Sequence, residues 1–195
     1  MQRLNDEAFD RLFLKSRSIY KWQEREVPEA VLRELADITK MGPTSLNTSP
    51  MRVVFITSQA GRDKLKPLLS EGNRDKTMLA PVTAIIAHDL AFYEKLPQLF
   101  PARDMRGLFI GKDAHIEATA FRNATMQGAY LMLAARALGL DVGAMSGFDN
   151  AGVDREFLAG TQWRSNFLCS IGYGDTSSVF PRLPRLAFDE FCTIV

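Results

Sequence analysis

The longest run of apolar residues in the chain lies between positions 116 and 139. No charged residue separates Arg122 from Arg136, and apolar side chains occupy every face of a 3.6-residue period instead of one stripe. This pattern predicts a core helix about 35 Å long. Gly139 stands just past its predicted end, where a glycine in the left-handed conformation commonly terminates a helix. The uninterrupted apolar part is too short to span a bilayer.

One face of this predicted helix consists of small residues. Ala120, Ala124 and Gly128 recur every four positions, so a second element can approach this face closely. Two interpretations stay open from the sequence. The face packs inside the chain, or it forms the seam of a homodimer.

The rest of the chain alternates between helical and strand patterns. Apolar spacing predicts helices over residues 4–15, 28–41, 58–70 and 150–157, and short apolar runs predict strands over residues 53–57, 82–87, 140–145 and 167–171. Residues 89–115 follow neither pattern and contain Pro97, Pro101 and Gly107, which indicates a lid. We expect an α+β fold, a helix/sheet/helix sandwich with a mixed central sheet, in one domain of residues 1–195.

Composition and charge narrow the class of function. The 24 basic and 23 acidic residues leave a net charge of +1, too little to attract nucleic acid or an anionic membrane. The first residues lack the apolar core of a signal peptide, and Cys169 and Cys192 stand singly, as in reduced cytosolic proteins. We therefore expect a cytoplasmic protein. Because His88 and His115 are far apart in sequence, we expect no metal site.

Two catalytic motifs can be excluded. Ser146 occupies the fourth place of GAMSGF instead of the centre of G-x-S-x-G, and few histidines are available to act as its base. Gly172 and Gly174 follow a predicted strand, but only about twenty residues remain, too few for a dinucleotide-binding unit. A hydrolase triad and a Rossmann site are both poorly supported.

What remains is a set of polar side chains on the predicted loops. They follow the first helix, the second helix and the third strand, precede the second strand, or lie near the C-terminus: Arg17, Ser18, Thr44, Ser45, Asn47, Asn73, Lys76, Ser146, Gly147, Arg182 and Arg185. Together they suit a cofactor with several different edges, such as flavin mononucleotide (FMN). Its phosphate needs guanidinium and hydroxyl donors, its pyrimidine edge needs amide and ammonium groups, and its N5 needs a backbone N–H from a small-residue turn.

Five motifs, in chain order, resemble the FMN-dependent nitroreductase family over nearly the whole length. They are the SRSIYKW segment, the PTSLNTSPM loop, Asn73 and Lys76 ahead of Met-Leu, Gln127 ahead of LMLAARALGLD, and GFD at residues 147–149. The resemblance implies the nitroreductase-like fold and an intertwined homodimer in which the long helix takes part. It also implies that the two flavin sites are shared between the subunits.

The resemblance assigns the phosphate end of FMN to the basic segments. Arg17 and Ser18 would lie near the phosphate or ribityl chain, and Arg185 on the phosphate. Ser16 and Tyr20 stand where the family usually has basic residues. We expect one of three cations to compensate: Lys15, Lys21 or Arg182.

The resemblance assigns the ring end to other loops. Asn73 and Lys76 would hold the pyrimidine edge, and the Ser146-Gly147 turn would lie over N5. In this family the other subunit would supply the remaining contacts, from Thr44, Ser45 and Asn47.

The remaining departures point to one branch of the family. Ser49, Met51 and Ser146 replace a usual Gln, Trp and acid, away from the pattern of nitroarene enzymes. The spellings PTSLNTSP, LPQLFP, AFRN, MSGFD, IGYGD and RLPRL look most like the malonic semialdehyde reductase (3-hydroxypropionate dehydrogenase) branch. That branch implies hydride transfer from NAD(P)H through flavin N5 to a small acceptor. Arg103 and Arg106 of the predicted lid could then meet the acceptor's carboxylate.

Two alternatives stay open. The protein could be a general nitroaromatic or quinone reductase. Comparing its activity on different acceptors distinguishes this alternative from a semialdehyde reductase. It could also be a flavin-binding protein without turnover. Whether NADH reduces the bound flavin distinguishes this alternative from an enzyme. The sequence leaves the choice between NADH and NADPH open.

Overall fold

The computed structural model describes residues 2–195. Its helices and strands are α1 Asp6–Phe9, α2 Glu29–Thr39, β1 Met51–Ile56, α3 Gln59–Leu65, α4 Glu71–Met78, β2 Val82–Asp89, α5 Leu96–Leu99, α6 Asp113–Ala137, β3 Asp141–Met145, α7 Asn150–Phe157, β4 Trp163–Gly172 and α8 Phe188–Phe191. A π-helical turn, Asp10–Leu14, continues α1. Within residues 2–195, no helix combines the length and the apolar character that crossing a bilayer requires.

The four strands form one sheet in the order β1-β2-β4-β3. We expected a mixed sheet, but all three strand pairs are antiparallel. For β1 and β2 the reason is that the helices between them return the chain to the end of the sheet that it left, so Ile56 lies opposite Thr83. Among residues 2–195, parallel pairing is confined to an isolated bridge between Ser18 and Val142.

Helices cover both faces of the sheet, which confirms the expected α+β class. On β2, Ala84 and Ile86 face the layer of α2 and α6. Ile85 faces the opposite layer, where it packs with Leu65 of α3 and Val153 of α7. Alternate side chains of one fully buried strand therefore serve two apolar cores.

The long helix α6 settles the question of the small-residue face. Ala120, Ala124 and Gly128 are buried within the chain: Ala120 packs with the residues of the segment 92–109, and a Cβ added at Gly128 would lie 2.6 Å from Cζ of Phe167 in the sheet. The internal-packing interpretation is confirmed, and the dimer-seam interpretation is wrong for this face. The helix ends just before Gly139, whose φ is +82° as predicted.

Two helix ends differ from the sequence prediction. A helix end was expected at residues 71–73, whereas α4 begins there behind Ser70. The weak helix formers Gly72 and Asn73 are tolerated because the first-turn N–H groups have no intrahelical partners in any case. Asn150 was expected to cap α7, but the carboxylate of Asp149 does so by accepting from the Gly152 N–H at 3.0 Å.

The segment expected to be a lid is anchored at its base. Phe92, Leu96 and Phe109 are buried together with Ile116 and Ala120 of α6. Between α5 and Met105 the residues 101–104 are exposed. The segment therefore has a fixed base and an exposed tip.

Candidate cofactor-binding site

The segment after α1 runs along the free side of β3. The Ile19 N–H donates to the Val142 carbonyl at 3.0 Å, and Ser18 forms the parallel bridge to the same residue. A Cβ added at Gly143 would lie 2.5 Å from the Ile19 carbonyl oxygen, so only glycine permits this close approach. The sheet edge thus fixes the backbone of residues 18 and 19.

A cleft of about 710 Å³ opens beside this segment, and its wall combines apolar side chains with several guanidinium groups. Four arginines line it: Arg17, Arg136, Arg182 and Arg185. Desolvation and the neighbouring charges of Arg17 and Arg185 lower the pKa of Arg182 from its ordinary value. Desolvation also lowers the pKa of Arg136, while the charge of Asp141 opposes that shift. Cations that destabilise one another in this way form a site that an anion would stabilise.

The three candidate compensating cations lie in different places. Arg182 lines the cleft, and its Nη2 donates to the carbonyls of Phe13, Leu14 and Ser16 at 2.7 to 3.1 Å. Lys15 lies in a neighbouring cleft and pairs with Asp10 at 2.5 Å. Lys21 lines a third hollow beside Asp175. Arg182 is therefore the one of the three candidates that faces the arginine cleft.

A chain of contacts leads from this cleft to α4. Tyr20 lines the cleft, and Nζ of Lys76 lies 4.9 Å from the centre of its ring, within cation–π range. One helical turn earlier, Nδ2 of Asn73 donates to the Gly147 carbonyl at 2.8 Å. The structure thus joins the phosphate-end residues to the ring-end residues predicted from sequence.

The turn at Gly147 has no room for a side chain. A Cβ there would lie 2.5 Å from Nδ2 of Asn73 and 3.2 Å from Oγ of Ser70. The Gly147 carbonyl accepts from Asn73 and from the Ser70 N–H, whereas its own N–H has no acceptor in the described part of the chain. Ser146 is exposed beside it. The turn therefore presents an unused backbone donor next to Asn73.

The loop that carries Thr44, Ser45 and Asn47 lies elsewhere. The Ser45 N–H donates to Oδ1 of Asn123 on α6, and Nδ2 of Asn47 donates to the Leu99 carbonyl of the lid base. Asn123 and Arg136 are thirteen residues apart on α6, about 20 Å along the helix axis. Within one chain, the residues of the 44–47 loop therefore lie far from the residues of the arginine cleft.

The two lid arginines differ in their bonding. Arg106 donates to both carboxylate oxygens of Asp104 at 2.7 to 3.1 Å, which lowers the pKa of Asp104 to about 2. Nε of Arg103 donates to Sδ of Met105 at 2.9 Å, and Arg103 has no carboxylate partner among residues 2–195. Its charge is therefore the less neutralised of the two.

The sequence prediction omitted three residues that the structure places at these sites. Arg136 ends the uncharged stretch of α6, and its Nη1 donates to the Leu12 carbonyl at 2.9 Å. Asn123 and Gln127 lie four residues apart on one buried face and accept from the Ser45 and Met51 N–H groups at 2.8 and 3.0 Å. Two buried amides in an apolar helix were the available signal, because buried polar groups need partners.

The structure also shows the environment of Cys169, a possible nucleophile. Cys169 lies in β4, fully buried, and burial raises the pKa of its thiol to about 12. A thiolate is therefore not available there at neutral pH.

A family model, a sequence relative and two solved structures show similarity to this chain. A family model described as the nitroreductase family matches residues 14–173. A Burkholderia lata protein, provisionally named NADH dehydrogenase/NAD(P)H nitroreductase, is 57% identical over 194 residues, which cover 100% of both chains. A provisionally named Exiguobacterium sibiricum nitroreductase solved with FMN has a TM-score of 0.84 at 18% identity, covering 100% of this chain and 99% of its own. A provisionally named Staphylococcus epidermidis NAD(P)H:FMN oxidoreductase has a TM-score of 0.82 at 19% identity, covering 100% and 98%. The two solved structures share the fold of this chain.

Proposed function

The chain belongs to the nitroreductase family, and from this premise we propose that it is an FMN-dependent oxidoreductase that uses NAD(P)H to reduce a small acceptor. The observation that carries the proposal is the continuous arrangement of the arginine cleft, Tyr20, Lys76, Asn73 and the Gly147 turn. It offers cations for a phosphate at one end and amide, ammonium and backbone N–H donors at the other. These are the donor types that the different edges of FMN require.

The residues present divide the work of holding such a group. Arg182 and Arg185 would neutralise the phosphate, and the ammonium group of Lys76 would favour the negative charge that the pyrimidine edge gains on reduction. The free Gly147 N–H would orient the ring. Bound FMN would supply the hydride chemistry at N5. The chain then needs no side-chain nucleophile.

We also propose that the active form is a homodimer with shared sites. The loop of Thr44, Ser45 and Asn47 lies about 20 Å along α6 from the cleft residue Arg136, too far to close over a ligand held in the same chain. In a two-fold dimer with antiparallel α6 helices, the loop of one subunit would approach the cleft of the other. Two complete sites would result.

The outward half of α6 suits such a contact. Phe121, Met126 and Tyr130 are 48%, 43% and 41% exposed, and Ala118 and Ala129 are exposed between them. Large apolar side chains flanking small ones permit close helix packing, and leaving them in water is unfavourable. This half, instead of the Ala120 face, is the proposed seam.

The C-terminal segment supports an intertwined arrangement. Phe180, Leu183, Phe191 and Ile194 are 74% to 85% exposed. The outer edge of β1 pairs with no strand among residues 2–195. Exposed strand edges and apolar tails are generally covered in stable proteins. We propose that a second copy covers both.

For the acceptor we propose malonic semialdehyde, reduced to 3-hydroxypropionate. Hydride would be added to the aldehyde carbon and a proton to its oxygen, with oxidation of NAD(P)H. The base of the lid is tied to the 44–47 loop through Asn47, so the lid would accompany the loop to the partner's cleft. Arg103, with no carboxylate partner among residues 2–195, is the cation proposed to meet the substrate carboxylate.

The cofactor proposal is tested by purification and spectroscopy. We expect a yellow protein with about one FMN per chain, whose flavin absorbance NADH or NADPH bleaches under anaerobic conditions. A colourless protein that binds no added FMN would overturn the proposal. A bound flavin that neither nicotinamide reduces would identify a non-catalytic flavin-binding protein.

The acceptor proposal is tested by comparing kcat/KM. We expect malonic semialdehyde to exceed nitrofurans and simple quinones. Faster turnover of nitroarenes would instead identify a general nitroreductase.

A further inference from the structure

The 44–50 loop has an unusual backbone. Leu46, Asn47 and Ser49 have φ angles of 51°, 52° and 41°, in the left-handed region that non-glycine residues rarely adopt. A branched residue such as Leu46 is unfavourable there, because its Cβ approaches the following carbonyl oxygen. Such conformations persist where the surrounding structure holds them in place.

Contacts made by the loop residues stabilise part of this backbone conformation. Oγ1 of Thr44 accepts from the Ser49 N–H at 3.1 Å, and Nη1 of Arg52 donates to the Ser49 carbonyl at 3.0 Å. Leu46 packs on the apolar base of the lid. That base includes Ile116 and Ala120 of α6, but none of these contacts attaches the loop backbone to the helix by a hydrogen bond.

Two buried amides of α6 make that attachment. Oδ1 of Asn123 accepts from the Ser45 N–H at 2.8 Å, and Oε1 of Gln127 accepts from the Met51 N–H at 3.0 Å. The loop is thus bonded to α6 at both of its ends. The Asn123 amide is also fixed in orientation, since its Nδ2 donates to the Thr119 carbonyl at 2.8 Å. Asn123 and Gln127 are only 4% and 3% exposed.

We propose that Asn123 and Gln127 are positioning residues that hold the strained 44–50 loop in the conformation required at the flavin site of a second copy. The proposal rests on the proposed function, because the ligand that the loop meets is the flavin of that site. If either amide is removed, a partly buried N–H loses its acceptor and the loop can relax toward unstrained backbone angles. The helix that forms the proposed seam would then also set the geometry of the loop.

The first test removes each acceptor. Gln127→Met keeps the side-chain length and loses the oxygen, and Asn123→Leu does the same at the other end of the loop. We expect each to weaken binding of both FMN and riboflavin about tenfold, with the dimer intact by sedimentation. Equal loss for the two ligands separates this role from that of the phosphate arginines. Asn150→Leu is the matched control, because that amide bonds to Ser165 on the opposite face of the sheet.

The second test is a rescue. Ser49→Gly relieves one strained residue and should change flavin affinity less than about twofold by itself, since glycine adopts positive φ freely. Combined with Gln127→Met, it should restore most of the lost affinity, because the loop then has less strain to release. Purely additive effects would contradict the proposal. The rescue pair keeps the test valid if Asn123→Leu does not fold.

A third measurement does not depend on flavin. Hydrogen exchange of the Met51 amide in flavin-free protein should accelerate at least about tenfold in Gln127→Met. A wild type that binds no flavin overturns the proposed function and the positioning role together. A wild type that binds flavin, with variants that keep full affinity and normal exchange, overturns the positioning role alone.

Discussion

The two halves of the candidate site are built in opposite ways. The half around Arg182 consists of long charged side chains on exposed segments, and their guanidinium groups destabilise one another. The half around Ser45 consists of a short loop whose backbone is bonded to α6 and whose Asn47 side chain is bonded to the lid base. An arginine cluster can bind a phosphate from several orientations, whereas a loop that meets a planar ring needs a fixed backbone. The cleft is suited to supplying affinity, and the loop to supplying geometry.

This contrast predicts that separating the halves has the largest effect. Ala129→Glu adds a good helix former at an exposed position, so the chain should still fold, but it buries a charge at the proposed seam. We expect monomers by sedimentation and at least about 100-fold weaker FMN binding, since each cleft loses the opposing loop. Ala151→Glu, the same change at an exposed position of α7, should leave both properties unchanged. A flavin-loaded dimer of Ala129→Glu would place the seam elsewhere.

The sequence predicts the members of the two halves better than it predicts their arrangement. Elements with clear periodicity were found close to their true bounds, such as β2 and α6. Most residues of both halves were also named from sequence, with Arg136, Asn123 and Gln127 as the exceptions. Their separation was expected only from the family resemblance and not from the local pattern, because the bonds that attach the loop join Ser45 to Asn123, 78 positions away. Local pattern carries no information on such pairs.

The central helix shows a second limit of the sequence. Periodicity treats every apolar position alike, so an uncharged helix suggested burial on all faces. In the single chain one half packs on the sheet through Gly128 and the other half, with Met126, is exposed. Which half packs inside the chain depends on the position of Phe167, a residue in a distant strand. The sequence therefore could not decide whether the small-residue face packs inside the chain or forms a dimer seam, and the second interpretation was wrong.

The next largest effect should distinguish the phosphate end from the ring. Arg185→Ala removes a charge-assisted bond worth about 1.5 to 3 kcal/mol. We expect FMN to bind roughly 10- to 150-fold more weakly, while riboflavin affinity changes little. Arg164→Ala is a suitable control, because this exposed arginine donates to the Trp163 carbonyl outside the cleft. Equal losses for FMN and riboflavin would remove Arg185 from the phosphate site.

A smaller effect is expected at the lid, where two arginines with different partners can be compared. Arg103→Ala should raise the KM for malonic semialdehyde at least about tenfold, because a charge-assisted carboxylate bond is worth roughly 1.5 kcal/mol or more. Arg106→Ala should have a smaller effect, since Asp104 already neutralises that guanidinium. Uncharged aldehydes should be reduced equally well by both variants. A larger change in Arg106→Ala would reverse the assignment.

The smallest predicted effect concerns Tyr20, which stands where the family usually has a cation. Its ring lies 4.9 Å from Nζ of Lys76, and an exposed cation–π contact contributes about 0.5 to 1 kcal/mol. If the ring holds the ammonium group toward the cleft, Tyr20→Leu should lower the reduction potential of bound FMN by about 10 to 20 mV, at 30 mV per 1.4 kcal/mol for a two-electron couple. Tyr20→Phe keeps the ring face and should retain the wild-type potential. Lys76→Met should lower the potential further, and in that background Tyr20→Leu should have no added effect. A Tyr20→Leu shift that persists without Lys76 would show that the tyrosine acts on the flavin directly.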